Sequence, residues 1–311
     1  MKLLHLFLEG FIVMIGIFLA KIPHGLFFRI IKAVAFLLRR FDKRRYFNAK
    51  ANLDFVFRDS YTTEQKNKII ERCYQNFVFV ILESIRVPYL NKKKYLSRFE
   101  FHDKENLFDL LREDKSVVLV SAHYGYWESL GTAIPLQMQQ ELENYKNYKM
   151  FSLGRLTNFD FINKMIIKRR ETFGVRLIDK KGAFKQLLKI YSTDIVGTGI
   201  LVDQNISLSE GVEISFFNKK ATQTSITAIL SRRFDAYLVP ILIDFNEDYS
   251  KYTLCIYPAI KTPHTSDMQQ DILETTQLQA KIIEDKIREN PSSWFWFHKR
   301  WKTFYPELYQ R

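Results

Sequence analysis

Hydrophobic and polar residues alternate along most of the chain with two periods, one typical of helices and one typical of strands. Thr62 and Gln65 form a capping-box pattern that predicts a helix over 63–87, ended by Pro88. Further helices are predicted from about 126, over 158–173, from near 182 and over 266–289. Apolar runs rich in β-branched residues predict strands over 116–121, 148–153, 175–178, 195–202, 212–217, 236–243 and 252–257. This order predicts an α/β fold with a mixed central sheet flanked by helices.

The first forty-five residues are apolar and then strongly basic. Residues 3–20 are interrupted by His5 and Glu9 and are about long enough to cross a hydrocarbon core at ~1.5 Å per residue. Residues 26–38 carry basic side chains among aliphatic and aromatic ones, which is typical of a helix lying in the membrane interface. A polybasic stretch follows, made of Arg39, Arg40, Lys43, Arg44 and Arg45.

We therefore expect a membrane anchor over 1–45, with its polybasic stretch on anionic head groups at the cytoplasmic face, and a folded domain over 46–311. The sequence leaves open whether the first helix spans the membrane or lies in the interface. A cleaved signal peptide is disfavoured, because Glu9 interrupts the apolar run and no small-x-small cleavage pattern follows it. The other alternative, two buried helices of a soluble core, is disfavoured by apolar character on nearly all sides.

Composition narrows the class of protein. With 47% hydrophobic residues, a chain of 311 residues can bury a sizeable core, which excludes global disorder. The two cysteines, Cys73 and Cys255, lie far apart in hydrophobic segments, so we expect neither a disulfide framework nor a cysteine metal site. The formal net charge of +13 favours anionic partners, which include nucleic acid, anionic lipid and acidic proteins.

Candidate chemistry follows the predicted strand over 116–121. Ligands of open α/β sheets bind at the carboxyl ends of strands, and His123, Gly125 and Glu128 lie there. A histidine at this position can act as a general base if a carboxylate holds its second ring nitrogen, and Glu128 is a candidate for that carboxylate. A structural histidine beside a helix-capping carboxylate is the alternative that this spacing leaves open.

An ordered set of short motifs resembles one protein family along essentially the whole chain. His123 and Glu128 form the H-x4-E motif of glycerolipid-type acyltransferases, and the set as a whole resembles the bacterial lipid A biosynthesis (late lauroyl/myristoyl) acyltransferase family. The other matching elements are Asn52-Leu53, Arg155 with Asn158, Asp203-Gln204, Phe216-Phe217 with Ala221-Thr222, and the segment 291–302. One departure is Asn218, which stands where the family has a glycine. Gln223-Thr224-Ser225 likewise replaces a segment richer in proline and glycine.

The resemblance implies a glycerolipid acyltransferase-like fold and a catalytic domain over 46–311. It implies transfer of a fatty acyl chain from acyl carrier protein to a hydroxyl of a Kdo-lipid A precursor, a late secondary acylation of lipopolysaccharide or lipooligosaccharide biosynthesis at the cytoplasmic face of the inner membrane. His123 would be the base and Glu128 its partner. Arg155, Asn158, Asp203 and Gln204 would form the substrate-binding set, in which Asp203 and Gln204 are expected to support the first two. The thioester donor is a substrate, and we expect no cofactor and no metal.

Two alternatives to this function remain at the level of the sequence. An acyltransferase of the same fold could act on another glycolipid or on a lysophospholipid. A basic, non-catalytic, membrane-associated protein could bind nucleic acid, but none of the helix-turn-helix, zinc-finger or RNA-binding sheet signatures is present, so we expect no nucleic-acid partner.

The remaining aromatic and basic clusters are assigned by their patterning. Trp294, Trp296 and Trp301 alternate with cationic residues, which favours an aromatic belt at the membrane interface over a surface that stacks bases. The runs 92–94 and 169–170 are interpreted as solvated faces. An acyl carrier protein is acidic, so one of the basic faces is expected to dock it.

Overall fold

The computed structural model describes residues 2–154 and 160–310, and in them seven strands form one central sheet. In chain order they are β1 (Phe99–His102), β2 (Val117–Ser121), β3 (Tyr148–Gly154), β4 (Val175–Asp179), β5 (Ile195–Leu201), β8 (Tyr237–Phe245) and β9 (Tyr252–Ile256). Across the sheet their order is β1-β9-β8-β2-β5-β3-β4, and β8 and β9 pair antiparallel within an otherwise parallel arrangement. The predicted mixed α/β fold is confirmed.

A separate hairpin carries the remaining strand pair, β6 (Gly211–Phe216) and β7 (Lys219–Thr224). Phe217 and Asn218 form its two-residue turn with φ angles of 55° and 57°. Asparagine tolerates this left-handed backbone better than most residues, so Asn218 can stand where the family has a glycine.

Two strands were missing from the sequence prediction. β1 is an edge strand of four residues with alternating half-buried and exposed side chains. β7 is rich in polar residues and pairs with β6. Neither carries the apolar run by which strands were recognised.

Helices flank the sheet at the places where the sequence predicts them, and four further helices that it did not predict lie over 43–57, 92–96, 105–112 and 226–234. They are α1 (Lys2–Lys21), α2 (His24–Phe41), α3 (Lys43–Phe57), α4 (Thr63–Arg86), α5 (Lys92–Leu96), α6 (Glu105–Arg112), α7 (Ala133–Glu141), α8 (Asp160–Glu171), α9 (Ala183–Tyr191), α10 (Ile226–Phe234) and α11 (Met268–Glu289). The capping box predicted at Thr62 and Gln65 is formed.

The two N-terminal helices pack against α4. Phe27, Ile31 and Ala35 of α2 are buried, and the guanidinium of Arg86 lies 3.7 Å from the ring centroid of Phe27. Other apolar side chains of these helices are exposed: Phe7, Phe11, Met14, Phe18, Phe36, Leu37 and Phe41. None of the helices in the part of the chain that the structure describes has the length and apolar character needed to cross a membrane. The division of the chain at residue 45 stays a prediction.

The C-terminal tryptophans are buried, so the predicted interfacial belt is wrong. Trp294 and Trp296 pack edge to face with ring centroids 4.6 Å apart, and Trp301 is fully buried beside them. Asn52 on α3 holds this segment, because its amide donates to the backbone carbonyls of Trp296 and His298, each at 2.7 Å. The aromatic rings therefore stabilise the core behind the sheet edge.

Candidate active site

The candidate site lies where β2 and β5 end side by side. These strands are parallel neighbours, with Ser121 opposite Leu201, so the residues that follow them emerge at the same edge of the sheet. His123 follows β2 and Asp203 follows β5. Nδ1 of His123 lies 2.8 Å from Oδ1 of Asp203.

Both oxygens of the Asp203 carboxylate accept hydrogen bonds. Its Oδ2 accepts the backbone N–H of His123 at 3.0 Å and the indole N–H of Trp294 at 2.8 Å. Burial raises the pKa of Asp203, but the neighbouring His123 and these hydrogen bonds outweigh burial and hold that pKa well below its usual range. An ionised carboxylate can only accept, so Nδ1 of His123 donates to it, and Nε2 is the ring nitrogen that can accept a proton.

Nε2 of His123 faces a large cleft. The amide nitrogen of Gln204 lies 3.3 Å from Nε2, and the ring of Trp127 lies beside the imidazole with centroids 5.4 Å apart. The cleft has a volume of about 1190 Å³. Its walls come from α1, α4, α8 and the ends of β3 and β5.

Glu128 does not hold the imidazole, and the prediction that it does is wrong. The structure gives that hydrogen bond to Asp203, because the strand after which Asp203 lies is the direct neighbour of β2. Glu128 instead accepts from Arg169 and lies 3.5 Å from Nη2 of Arg170, in the same cleft. Burial raises the pKa of Glu128, but the two guanidiniums lower that pKa by more than burial raises it. The pKa is therefore below its usual range, and the carboxylate is ionised.

Arg169 and Arg170 are therefore not a solvated face. Both are mostly buried, and Arg170 also donates to the hydroxyl of Ser152 on β3. Lys164, Lys168 and Lys180 line the same side of the cleft. This side of the cleft is strongly basic, because it carries two guanidiniums and three ammonium groups and its carboxylate at Glu128 offsets only one of these charges.

The structure brings Asp203 and Gln204 to His123, while Arg155 and Asn158 lie outside the described residues. Contact of any of these four residues with substrate stays a prediction. Within residues 2–154 and 160–310, no group of three or more His, Cys, Asp or Glu side chains is arranged to hold a metal ion.

Trp294 and His298 support the site in ways that the sequence did not predict. Trp294 anchors Asp203, and Nε2 of His298 accepts the backbone N–H of Asn205 at 2.9 Å, which fixes the loop after β5. Burial lowers the pKa of His298 to about 4, so it accepts this hydrogen bond as a neutral ring. Trp294, Trp296 and His298 lie at alternate positions, a period that indicates an extended segment with one buried face.

A histidine–aspartate pair at the carboxyl ends of adjacent parallel strands, facing an apolar cleft with a basic side, is the site of an enzyme that can activate a hydroxyl. The model of the family described as bacterial lipid A biosynthesis acyltransferase matches residues 1–303. The chain belongs to this family, and it is an acyltransferase of late lipid A acylation.

The names of three similar proteins are consistent with this family. The chain is 23% identical over 274 residues to the lipid A biosynthesis palmitoleoyltransferase of Escherichia coli (strain K12), which covers 86% of this chain and 82% of that protein. It is 23% identical over 288 residues to the lipid A biosynthesis lauroyltransferase of the same organism, with 91% and 87% covered. A lipid A biosynthesis acyltransferase of Shigella flexneri is also 23% identical, over 274 residues, with 86% and 82% covered.

Proposed function

We propose that this acyltransferase moves a fatty acyl chain from the thioester of acyl carrier protein to a hydroxyl of a Kdo-lipid A precursor. The observation that carries the proposal is the hydrogen bond from His123 to Asp203, which leaves Nε2 as the ring nitrogen that can accept a proton in the cleft. The amide of Gln204, 3.3 Å from Nε2, would give way to the acceptor hydroxyl there. An alcohol attacks a thioester efficiently when its proton is removed as the new bond forms.

In the proposed reaction the acceptor hydroxyl stands against Nε2 of His123. Its oxygen attacks the thioester carbonyl carbon while Nε2 takes the proton, and Asp203 stabilises the imidazolium that forms. The tetrahedral intermediate then collapses, the carbon–sulfur bond breaks, and His123 returns the proton to the leaving thiolate. The products are an ester and the free thiol of the carrier, so no serine nucleophile is required.

The basic side of the cleft suits the anionic groups of the acceptor. Arg169 and the lysines at 164, 168 and 180 line it, and guanidinium and ammonium groups bind phosphates and carboxylates. Arg155 and Asn158 are proposed to join this set on the strength of the motif they match. Glu128 is proposed as the positioning residue of this side, because its carboxylate holds Arg169 and lies beside Arg170.

The N-terminal helices are proposed to bind the inner membrane from the cytoplasm. Exposed aromatic residues on α1 and α2, Phe7, Phe11, Phe18, Phe36 and Phe41, would enter the interface. A groove of about 650 Å³ near the end of α2 is lined by Phe36 together with Arg39, Arg40, Lys43 and Lys50, a combination that suits anionic lipid head groups.

The experiment that tests the proposed reaction uses the purified full-length protein, lauroyl-acyl carrier protein and a Kdo-lipid A precursor. Mass spectrometry of the acceptor should show the mass gain of one acyl group. A lysophospholipid acceptor in a parallel reaction should gain none. If the lysophospholipid is acylated and the lipid A precursor stays unmodified, the assignment of the acceptor is overturned. A third reaction, with lauroyl-coenzyme A in place of lauroyl-acyl carrier protein, tests the assignment of the donor.

A further inference from the structure

Helix α1 has two mainly apolar faces, one that lines the catalytic cleft and one that is exposed. Glu9, Ile12 and Val13 line the catalytic cleft, and with Gly16 they follow the i, i+3, i+4, i+7 spacing of one helix face. Phe7, Phe11, Met14 and Phe18 form the opposite stripe and are exposed. The carboxylate that interrupts the apolar sequence thus lies on the face that lines the cleft.

Close contact with α4 fixes the inner face of α1 in place. A Cβ atom added at Gly16 would lie 2.4 Å from a ring carbon of Tyr89 and 2.8 Å from the carbonyl oxygen of Ile85. The helix therefore sits directly on the end of α4 and the turn that follows it. Glycine at position 16 allows this approach, because any side chain would push the two segments apart.

Apolar side chains of α1 and α4 face each other across open space in the cleft. Val13 is 39% exposed and Ile81 is 42% exposed, although both line the cleft. Phe77, Val80 and Ile85 of α4 line the same cleft. Phe77 packs on Phe295 with ring centroids 5.6 Å apart, and Phe295 in turn lies beside the ring of His123. An uncovered apolar surface inside a cleft is typical of a site for an apolar ligand.

We propose that the acyl chain being transferred lies between α1 and α4, so that the N-terminal helix is a wall of the donor site and selects the length of the acyl chain. This inference rests on the proposed function. The chain begins at the carbonyl carbon attacked beside His123, and the cleft is continuous from His123 to Val13 and Ile81. Lys164 and Lys168 on α8, with Lys180 after β4, line the same cleft and suit the anionic acceptor, which leaves the apolar side to the donor chain.

The test narrows the cleft from the α1 side and from the α4 side, and compares donors whose acyl chains differ in length. Val13→Trp and Ile81→Trp place a large ring into open space, so neither disturbs a packed core. Met14→Trp, on the outer face at 60% exposure, is the matched control. With decanoyl-, lauroyl-, myristoyl- and palmitoyl-acyl carrier protein in competition, the two cleft variants should each lower the palmitoyl-to-decanoyl ratio of kcat/KM by about 10-fold or more. The control should keep the wild-type ratio.

A measurement independent of turnover separates this inference from the proposed function. Acyl carrier protein loaded with a chain that ends in a diazirine is photolysed with the His123→Ala protein, and labelled peptides are mapped. Labels on α1 and α4 support the donor site even where transfer is not detected. Labels confined to other segments, or an unchanged chain-length ratio in active Val13→Trp and Ile81→Trp proteins, would overturn it. A rise in the KM of the acceptor that is equal for all donors would instead assign this wall to the acceptor.

Discussion

The imidazole of His123 lies 2.8 Å from the carboxylate of Asp203, although 80 positions separate the two residues in the chain. They meet because β2 and β5 are parallel neighbours that end at one edge of the sheet. Trp294 donates to the same carboxylate from the C-terminal segment. The orientation of the proposed base therefore depends on two elements far from it in sequence.

Asp203→Asn should lower acyl transfer by about 10²-fold or more, with the protein still folded. The asparagine oxygen would accept from Trp294 and from the His123 backbone, which turns its NH₂ group toward Nδ1. The imidazole would then carry its proton on Nε2 and could not act as a base. Steady-state kinetics with a saturating acceptor measures the loss.

Asp179→Asn is the matched control for that variant, because Asp179 ends β4 at the same edge of the sheet and accepts from the backbone N–H of Lys181. It should retain near wild-type activity. Asp203→Asn should also have a lower melting temperature than the wild type, since the buried Arg300 loses a neighbouring negative charge. Full activity of a folded Asp203→Asn protein would show that Asp203 does not set the tautomer of His123.

Glu128→Gln should destabilise the protein and weaken acceptor binding. Removing the carboxylate leaves Arg169 and Arg170 without their counter-charge, at an expected cost of about 1–3 kcal/mol in the free energy of unfolding. Denaturant unfolding measures that cost, and kinetics should show a raised KM for the acceptor. Glu141→Gln, which breaks the ion pair with Lys104 nearer the surface, should change stability by less than about 1 kcal/mol. A lower kcat with unchanged stability and KM would mean that Glu128 acts directly on His123.

The position of the proposed base could be predicted from sequence, but the residue that holds it could not. The apolar run over 116–121 marks β2, and His123 follows it directly, so local pattern was sufficient there. The partner depends on which strand lies beside β2, and strand order comes from packing across the whole sheet. The carboxylate close in sequence, Glu128, was therefore chosen over Asp203.

The prediction of an interfacial belt in the C-terminal segment was wrong for a related reason. The alternation of aromatic and cationic residues over 294–302 is compatible with a membrane surface, and its burial depends on contacts with α3. Asn48 donates to the carbonyl of Phe297 and Asn52 to that of Trp296, and these partners lie more than two hundred positions away. Likewise, Arg169 and Arg170 are identified as site residues by their contact with Glu128, which no local pattern contains.

Stability should depend on pH through His298. Its pKa is about 4 in the folded protein against an ordinary 6.5, so the unfolded chain binds the proton more readily. The free energy of unfolding should therefore fall as the pH drops from about 6.5 to about 4, with a slope of up to ~1.4 kcal/mol per pH unit from this residue. His298→Gln, whose side-chain oxygen can still accept from Asn205, should flatten the profile in this window. An unchanged slope in urea unfolding across this range would contradict the assignment.

Membrane binding should depend on the outer face of α1. Phe7→Glu, Phe11→Glu and Phe18→Glu together should lower binding to vesicles of phosphatidylethanolamine and phosphatidylglycerol by about 10-fold or more, since each buried aromatic ring contributes about 1.5–3 kcal/mol. Met268→Glu with Leu278→Glu removes exposed apolar residues from α11 and should leave binding unchanged. Unchanged flotation of the triple variant at high salt would place the membrane contact elsewhere.

The measurement that tests the central claim most directly compares the wild-type protein with His123→Ala. Both are supplied with lauroyl-acyl carrier protein and a Kdo-lipid A precursor, and the acylated product is counted by mass spectrometry at matched concentrations of folded protein. Removal of a general base should lower turnover by about 10² to 10⁴-fold while the melting temperature stays near that of the wild type. Near wild-type turnover by a folded His123→Ala protein would contradict the role of His123 as the base.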